Sequence, residues 1–156
     1  MINISIPGWQ ELHLEHLVLD YNGTLACDGQ LIEGVSPLLA LLAEQLEVHI
    51  VTADTFGSVE RMFAGSGYRV FKLLSGNEEQ GKARYVQSLG AASSVCIGNG
   101  RNDRRMLKEA ALGIAVMQKE GLALDALLGA DLATSSILDA LELLTHPLRL
   151  MATLRC

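Results

Sequence analysis

Polar side chains that could take part in chemistry follow three apolar stretches of the sequence, at the point where each stretch ends. Asp20 ends the run HLVLDY at 16–21, Thr52 ends VHIVT, and Asn99 and Asp103 follow SSVCIG. A carboxylate at a strand end can attack phosphorus. Mg²⁺ prefers oxygen ligands and is held by one or two carboxylates together with substrate phosphate. The pattern therefore predicts a magnesium-dependent site for phosphoryl transfer.

The segment DYNGTL at 20–25 carries the candidate nucleophile, Asp20. Gly23 lets the chain turn tightly after the strand, and the hydroxyl of Thr24 can fix that turn. The alternative interpretation is an ordinary Asn-Gly turn with a capping aspartate. This segment alone does not separate the two.

Two further groups could hold a phosphoryl group. The Thr52 hydroxyl can donate to a phosphate oxygen, and backbone N–H groups that follow it, beginning at Ala53, can add to this. Lys82 lies early in a predicted helix, where its charge could neutralise both the nucleophile and the phosphoryl group. The alternatives are a capping role for Thr52 and a solvated helical lysine for Lys82.

The segment GNGRND at 98–103 places two glycines, two amides and a carboxylate between an apolar strand and a helix. This composition favours a magnesium site over a solvent loop. A dinucleotide-binding fingerprint is the competing interpretation of Gly-x-Gly. The third glycine of that fingerprint is missing, which argues against it.

Strand and helix signals alternate along the chain, which predicts an α/β fold of Rossmann-like type: a doubly wound parallel sheet with helices on both faces. Ligands of such sheets bind outside the carboxyl ends of the strands, where the polar residues gather. Ser36 is expected to cap the first helix, with Pro37 in its first turn. Strands are predicted at 16–21, 47–53, 68–74, 93–100, 112–117 and 131–134, helices at 38–46, 58–67, 78–89, 102–111, 120–130 and 136–144, and an N-terminal hairpin at 2–6 and 11–16.

Composition limits the class of protein. The 156 residues fit one domain, 1–156. A net charge of −6 argues against nucleic acid as a partner. No apolar run approaches the ~20 residues that span a bilayer, so no membrane association is expected. Three widely spaced cysteines favour a reducing cytoplasm. The 49% content of hydrophobic residues favours a homo-oligomer with an apolar interface.

The histidines are assigned structural roles. His13 and His16 stand three apart, which on one strand places them on opposite faces, so a shared metal is not expected. His49 is predicted to be a packed or edge residue.

DYNGTL, the Thr52 of VTAD, Lys82 and GNGRND, taken in order, resemble the four motifs of the haloacid dehalogenase (HAD) superfamily of phosphotransferases. The resemblance runs from about Leu17 to Leu144. It is closest to the phosphorylation domain of P-type ATPases and their small soluble, capless relatives, whose A-x-x-G-I-A-like run is similar to AALGIA at 110–115. Transport is not implied, because the sequence has no transmembrane segment.

The resemblance implies a role for each matching position. Asp20 is the nucleophile, and the catalytic set is Asp20, Asn22, Thr52 and Lys82. The phosphoryl group of a small phosphorylated substrate would be bound by Asp20, Gly23, Thr52, Ala53 and Lys82. The metal, Mg²⁺, would be held by Asp20, the backbone carbonyl of Asn22, Asn99 and Asp103.

Two positions depart from the family pattern. Asn22 stands where related phosphatases carry an acid-base aspartate, whose help is worth ~10²–10⁴ in rate, so we expect a slow phosphatase or one that prefers acyl phosphates. Asn99 replaces another aspartate, which removes one anionic metal ligand. The intervals between motifs leave no room for a cap domain, and the flap at 24–34 could give partial cover. Capless relatives often oligomerise, which favours a tetramer.

Two alternatives remain. The first is a catalytically weak or inactive module that binds phosphate or metal in a regulatory role, a possibility motivated by Asn22 and Asn99. The second is a phospho-acceptor domain resembling a response-regulator receiver. Receivers carry their acceptor after the third strand, whereas Asp20 ends the first strand of the predicted main sheet.

Overall fold

The computed structural model describes residues 1–53 and 57–156. Their ten strands form one six-stranded sheet and two small antiparallel hairpins. The strands are β1 Ile2–Ile6, β2 Gln10–Leu14, β3 His16–Asp20, β4 Ala26–Cys27, β5 Gln30–Leu31, β6 Glu47–Thr52, β7 Arg69–Lys72, β8 Ser94–Gly98, β9 Leu112–Val116 and β10 Leu132–Thr134. The helices are α1 Val35–Ala43, α2 Ser58–Met62, α3 Glu78–Leu89, α4 Arg104–Glu109, α5 Leu124–Gly129, α6 Ile137–Thr145 and α7 Pro147–Leu154.

The main sheet is parallel throughout, in the order β10-β9-β8-β3-β6-β7. β8 and β9 are buried along their whole length, as expected for strands covered on both faces. β3 lies between β8 and β6, so the strand that ends in Asp20 is central. The predicted doubly wound parallel sheet is confirmed.

Two apolar cores lie on opposite faces of this sheet. Leu17 and Leu19 of β3 belong to one core, and Val18 between them belongs to the other, as the period of a strand requires. The first core is covered by α1, α6 and α7 together with the N-terminal hairpin, and the second by α3, α4 and α5. Helices therefore cover both faces, as predicted.

The small hairpins lie outside the main sheet. β1 and β2 pair antiparallel, which confirms the predicted N-terminal hairpin, and Glu15 separates β2 from β3. β4 and β5 form a short ribbon within the predicted flap at 24–34. Among the described residues, the connections between β3 and β6 and between α3 and β8 hold no cap domain. None of the described helices has the length and apolar character needed to cross a membrane.

Several helix boundaries differ from expectation: α2 ends at Met62 rather than at residue 67, and α5 begins at Leu124 rather than at residue 120. α1 begins at Val35, and the residue that precedes it is Gly34, whose φ of 89° is left-handed. The prediction that Ser36 caps this helix is therefore wrong, because Ser36 already lies inside the first turn. The structure also adds α7, which begins at Pro147 after a break at His146.

Candidate active site

Asp20 lies at the carboxyl end of the central strand, where the ends of three neighbouring strands meet. It pairs with Val51, one residue before Thr52 on β6. Asp20 is 8% exposed. On the side of β3 away from β6, the end of β8 leads into the loop that contains Asn99. Thr52 is buried at the end of β6. The parallel topology thus gathers the polar residues that the sequence pattern placed at strand ends.

Lys82 joins two carboxylates at the centre of this site. It lies one turn into α3 and is 2% exposed. Its Nζ atom lies 2.6 Å from Oδ1 of Asp20 and 2.5 Å from Oδ1 of Asp103. A longer contact of 3.4 Å reaches Oδ1 of Asn102. One buried ammonium group therefore faces two buried carboxylates.

Asp103 also organises the loop after β8. Its Oδ2 atom accepts hydrogen bonds from the backbone N–H groups of Asn99, at 2.9 Å, and Gly100, at 2.8 Å. Asp103 is fully buried against Gly98, where an added Cβ would lie 2.5 Å from Cγ of Asp103. A glycine is needed at position 98 because a larger residue would displace this carboxylate.

Thr24 contacts Asp20, the candidate nucleophile, in addition to its predicted role in the turn. Its buried Oγ1 atom lies 3.2 Å from Oδ2 of Asp20 and 3.2 Å from Oδ1 of Asn99. A hydroxyl has one proton to donate. It can therefore satisfy one of these two oxygens at a time, and the other stays available to a different donor or to a cation.

Gln118 is a residue that sequence reasoning missed. It follows β9, and its Nε2 atom donates to the backbone carbonyls of Gly23, at 3.0 Å, and Thr24, at 2.7 Å. Its Oε1 atom accepts from the backbone N–H of Ile137 at 2.7 Å. Nothing in the local sequence marks Gln118, because its role depends on how the chain folds around it.

Burial and neighbouring charges shift the pKa values of Asp20 and Lys82. Burial, followed by the nearby Asp103 carboxylate, raises the pKa of Asp20 to about 6. Lys82 and Thr24 oppose that shift. Burial also disfavours the charged form of Lys82, but the carboxylates of Asp20 and Asp103 outweigh it and raise the pKa of Lys82. The ammonium group therefore stays charged at neutral pH, and one carboxylate charge of the pair is left without compensation.

A cleft of about 420 Å³ opens onto this cluster. Asn22 is exposed at its edge. Gly23 and Thr52 are buried and do not line the cleft. Gly23 adopts a left-handed φ of 80° in close approach to Asn99. Asp54 of the VTAD motif falls outside the described residues. The cleft is lined by Asp20, Asn22, Ala53, Lys82 and the loop at 99–102.

A larger cavity of about 690 Å³ lies between the flap and the loop that contains Gln118. It touches the turn after Asp20 at Gly23, but Asp20 and Lys82 do not line it. We therefore place the candidate chemistry in the smaller cleft, where the charged groups converge.

Solved structures with this architecture identify the class of fold. The 3-deoxy-D-manno-octulosonate 8-phosphate phosphatase of Moraxella catarrhalis superposes with a TM-score of 0.66 at 19% identity, covering 92% of this chain and 94% of that one. A putative HAD family hydrolase of Streptomyces avermitilis gives 0.66 at 15% identity, covering 97% and 88%. A phosphoserine phosphatase gives 0.66 at 14% identity, covering 83% and 98%. The chain has the haloacid dehalogenase fold.

Sequence comparison gives a closer relationship. No family model matches the sequence. It is 38% identical over 84 residues to an uncharacterised protein of Methanocaldococcus jannaschii, covering 51% of this chain and 90% of that protein. A second uncharacterised protein of the same organism is 49% identical over 39 residues, covering 25% of this chain and 89% of that protein. This chain belongs to the same family as the first of these archaeal proteins.

Proposed function

We propose that the protein is a phosphatase or phosphotransferase that works through an aspartyl phosphate on Asp20. The position of Asp20 carries this proposal. Asp20 lines a polar cleft, and Nζ of Lys82 lies 2.6 Å from one oxygen of its carboxylate. The lysine holds the carboxylate in place and supplies positive charge where a phosphoryl group would arrive.

The residues of the cleft also fit Mg²⁺. Asp20 and Asp103 bring two carboxylates against one ammonium group, so the cluster keeps a negative charge that favours a further cation. Thr24 can donate to one of two oxygens, which leaves either Asp20 or Asn99 with a free acceptor. Asp20, the Asn22 carbonyl, Asn99 and Asp103 would hold the ion. When bound, Mg²⁺ offsets the charge of the phosphate and of the attacking carboxylate.

The reaction would proceed in two steps. A carboxylate oxygen of Asp20 attacks phosphorus, and the bond between phosphorus and the leaving oxygen breaks. Water then attacks the phosphorus of the aspartyl phosphate, which releases inorganic phosphate and restores the carboxylate. Lys82 offsets negative charge on the transferred group, and Thr52 and the backbone N–H of Ala53 would orient its oxygens.

Asn22 sets the expected rate. Its amide cannot give a proton to the leaving group or take one from water, so alkyl phosphate esters should react slowly. Acyl phosphates and p-nitrophenyl phosphate need less help, because their leaving groups are stable anions. We therefore propose a low intrinsic rate and a preference for such substrates.

The solved structures support this class of reaction. The structure of the Moraxella catarrhalis phosphatase contains a magnesium ion, a phosphate ion and a KDO molecule. The structure of a related phosphatase of Haemophilus influenzae is a cobalt-bound form. We propose a small phosphorylated substrate and Mg²⁺ for this protein on the basis of this likeness and of its own oxygen-rich cleft. The particular likeness to P-type ATPases stays a prediction of the sequence motifs.

We also propose that the protein works as a homo-oligomer, with a tetramer favoured, in the cytoplasm. Leu124 and Leu128 of α5 are 74% and 83% exposed, which supports burial of this helix against another subunit. Cys27, Cys96 and Cys156 are free, which supports a reducing compartment.

Phosphate release from acetyl phosphate and p-nitrophenyl phosphate, measured with Mg²⁺, tests the function. The Asp20→Asn variant should lose at least 99% of the activity because the amide cannot attack phosphorus. Asp139→Asn is the matched control, since it makes the same change at an exposed position of α6 and should retain activity. Equal activity in the Asp20→Asn and wild-type proteins would refute the proposal.

A regulatory module without turnover is the second candidate, and the state of Asn99 favours it. The Asn99 side chain carries no charge to attract a metal ion. Its Nδ2 atom donates to the carbonyl of Gly121 at 3.0 Å, and its Oδ1 atom lies within reach of the Thr24 hydroxyl. Beryllofluoride with Mg²⁺ mimics the phosphorylated aspartate. Binding of this complex with no turnover of any phosphate ester or acyl phosphate would favour the module over the enzyme.

A further inference from the structure

Three side chains that can bind a transition metal meet at the end of the sheet opposite the active site. His16 begins β3 and pairs in register with Glu47, which begins β6. His49 stands two residues after Glu47, so both lie on the same face of β6. Four steps of ~3.3 Å along β3 separate His16 from Asp20, a span of ~13 Å. This cluster is therefore distinct from the candidate active site.

The distances among the three groups match those of metal ligands. Nδ1 of His16 lies 3.2 Å from Nε2 of His49. Oε2 of Glu47 lies 3.8 Å from each of these nitrogens. Zinc–ligand bonds of ~2.0–2.2 Å in a tetrahedron place neighbouring ligand atoms ~3.3–3.6 Å apart. The distance between the two nitrogens is ~0.1 Å below this range, and the carboxylate oxygen needs to move inward by only a few tenths of an ångström.

Exposure divides the three ligands into a rigid pair and an adjustable third. The His49 side chain is fully buried, and that of His16 is 14% exposed. The Glu47 side chain is 52% exposed, so it can rotate without disturbing the core. Such a site would be half-open, with the remaining coordination position directed to solvent.

Tyr85 orients His49 in the way that metal-binding histidines require. Its hydroxyl oxygen lies 2.8 Å from Nδ1 of His49, on the side of the ring away from His16. Ligating histidines usually bond a second group through the nitrogen that does not touch the metal. Tyr85 is held in turn by its stacking on Phe71, with ring centroids 4.0 Å apart.

The positive charge of Arg69 opposes the binding of a cation to this cluster. Nη2 of Arg69 lies 3.1 Å from Oε2 of Glu47. The Arg69 side chain is 63% exposed, so it can turn to solvent or bond the second oxygen of the carboxylate. Exposed ion pairs of this kind contribute little, so the Arg69 pair opposes zinc binding only weakly.

We propose that His16, Glu47 and His49 form a second metal site, for Zn²⁺, with a water molecule as fourth ligand. Two imidazoles and a carboxylate suit zinc, whereas Mg²⁺ prefers an all-oxygen set. The bound ion joins β3 to β6 at the base of the sheet, and these two strands carry Asp20 and Thr52 at their other ends. It therefore stabilises the folded chain, because the three ligands converge only in that state.

The test is titration of the metal-free Asp20→Asn protein with Zn²⁺ by calorimetry. This background removes one carboxylate from the candidate active site and so weakens metal binding there, and phosphatase activity is not the readout. We expect one Zn²⁺ per chain. Adding His16→Gln should weaken binding at least tenfold, and Glu47→Gln should also weaken it. His13→Gln is the matched control, because His13 lies on β2, exposed and outside the cluster, and should leave affinity unchanged.

Co²⁺ provides a second readout that a general loss of stability would not mimic. Four-coordinate Co²⁺ absorbs strongly in the visible range, and this absorption should appear in the Asp20→Asn protein and disappear with His16→Gln. Tyr85→Phe keeps the ring stacked on Phe71 but removes the bond to His49, so it should weaken Zn²⁺ binding by ~10–100-fold at unchanged stoichiometry. Absence of stoichiometric Zn²⁺ binding, or identical affinity and Co²⁺ spectrum after His16→Gln, would overturn the proposal.

Discussion

Nζ of Lys82 lies 2.6 Å from Oδ1 of Asp20, and solvent reaches only 3% of the lysine side chain and 11% of the aspartate side chain. This ion pair joins a helix to the central strand of the sheet. Because the same ammonium group also bonds Asp103, its loss would affect both the stability of the fold and the proposed chemistry.

Lys82→Met should lower both stability and activity. Removal of the ammonium leaves two buried carboxylates facing each other, and loss of one partner of a buried ion pair costs ~3–5 kcal/mol. Urea denaturation in the absence of Mg²⁺ should show this loss, and turnover of acetyl phosphate should fall at least a hundredfold. Lys108→Met, at an exposed position of α4, should change the unfolding free energy by ~0.5 kcal/mol or less. Unchanged stability of Lys82→Met would contradict the prediction.

Asn22→Asp should accelerate the hydrolysis of phosphate esters with poor leaving groups. The side chain is exposed at the edge of the cleft, so an added carboxyl group can reach a leaving group and solvent. We expect a rise of ~10²–10⁴ for an alkyl ester such as phosphoserine and a much smaller rise for acetyl phosphate. Phosphate release measures both. Asn22→Ala serves as control, and an equal rise in that variant would rule out acid-base help as the cause.

Asn99→Asp should make stability depend on Mg²⁺. The new carboxylate would face the Gly121 carbonyl, to which the Asn99 amide now donates, and would add charge beside Asp20. With EDTA we expect a loss of ~1–3 kcal/mol in unfolding free energy. Saturating Mg²⁺ should recover most of it, because an added anionic ligand strengthens binding to the folded state.

Thermal unfolding with and without Mg²⁺ measures this effect. Asn77→Asp makes the same substitution at an exposed position before α3 and should show no such dependence on Mg²⁺. If Asn99→Asp were as stable as the wild type in EDTA, the Asn99 amide would contribute nothing to the stability of the loop.

His49 should make the metal-free protein less stable as the pH falls from 6.5 to 4. Burial, followed by the neighbouring His16, lowers the pKa of His49 from its ordinary 6.5 to about 4. Between these values the unfolded chain binds the proton and the folded chain does not, so acid favours unfolding. Stability is fully present above pH 6.5 and is lost progressively below it, by at most ~3.5 kcal/mol at ~1.4 kcal/mol per pKa unit.

Urea denaturation in EDTA at several pH values tests the His49 prediction. The His49→Gln protein should show a flatter dependence on pH across this window, whereas His146→Gln, at an exposed position, should keep the wild-type slope. Parallel profiles for His49→Gln and the wild type would assign the acid sensitivity to other groups.

The central strands of the main sheet can be predicted because each is a short, largely apolar run bounded by polar or turn-forming residues. β3 is predicted at 16–21 and lies at His16–Asp20, and α3 is predicted at 78–89 and occupies Glu78–Leu89. The start of α1 was wrong because a left-handed Gly34 precedes the helix, and a side-chain cap at Ser36 was the stronger local signal.

Contacts between distant segments could not be predicted from the sequence. Thr24 and Asn99 are 75 positions apart, and Gln118 and Gly23 are 95 apart, so their hydrogen bonds depend on the order of strands in the sheet. The cluster of His16 with Glu47 and His49 has the same origin. Its members meet only because β3 and β6 are neighbours in one particular register.

The hydrogen bonds of Gln118 to Gly23, Thr24 and Ile137 have a consequence for the energetics of the proposed reaction. They tie the turn after Asp20 to the start of α6 before any substrate arrives. Dipoles that are already fixed need no rearrangement when charge develops at a reacting centre. In the proposed reaction at Asp20, much of the rearrangement of this turn would therefore already be complete in the folded protein, because a single amide far along the chain fixes it.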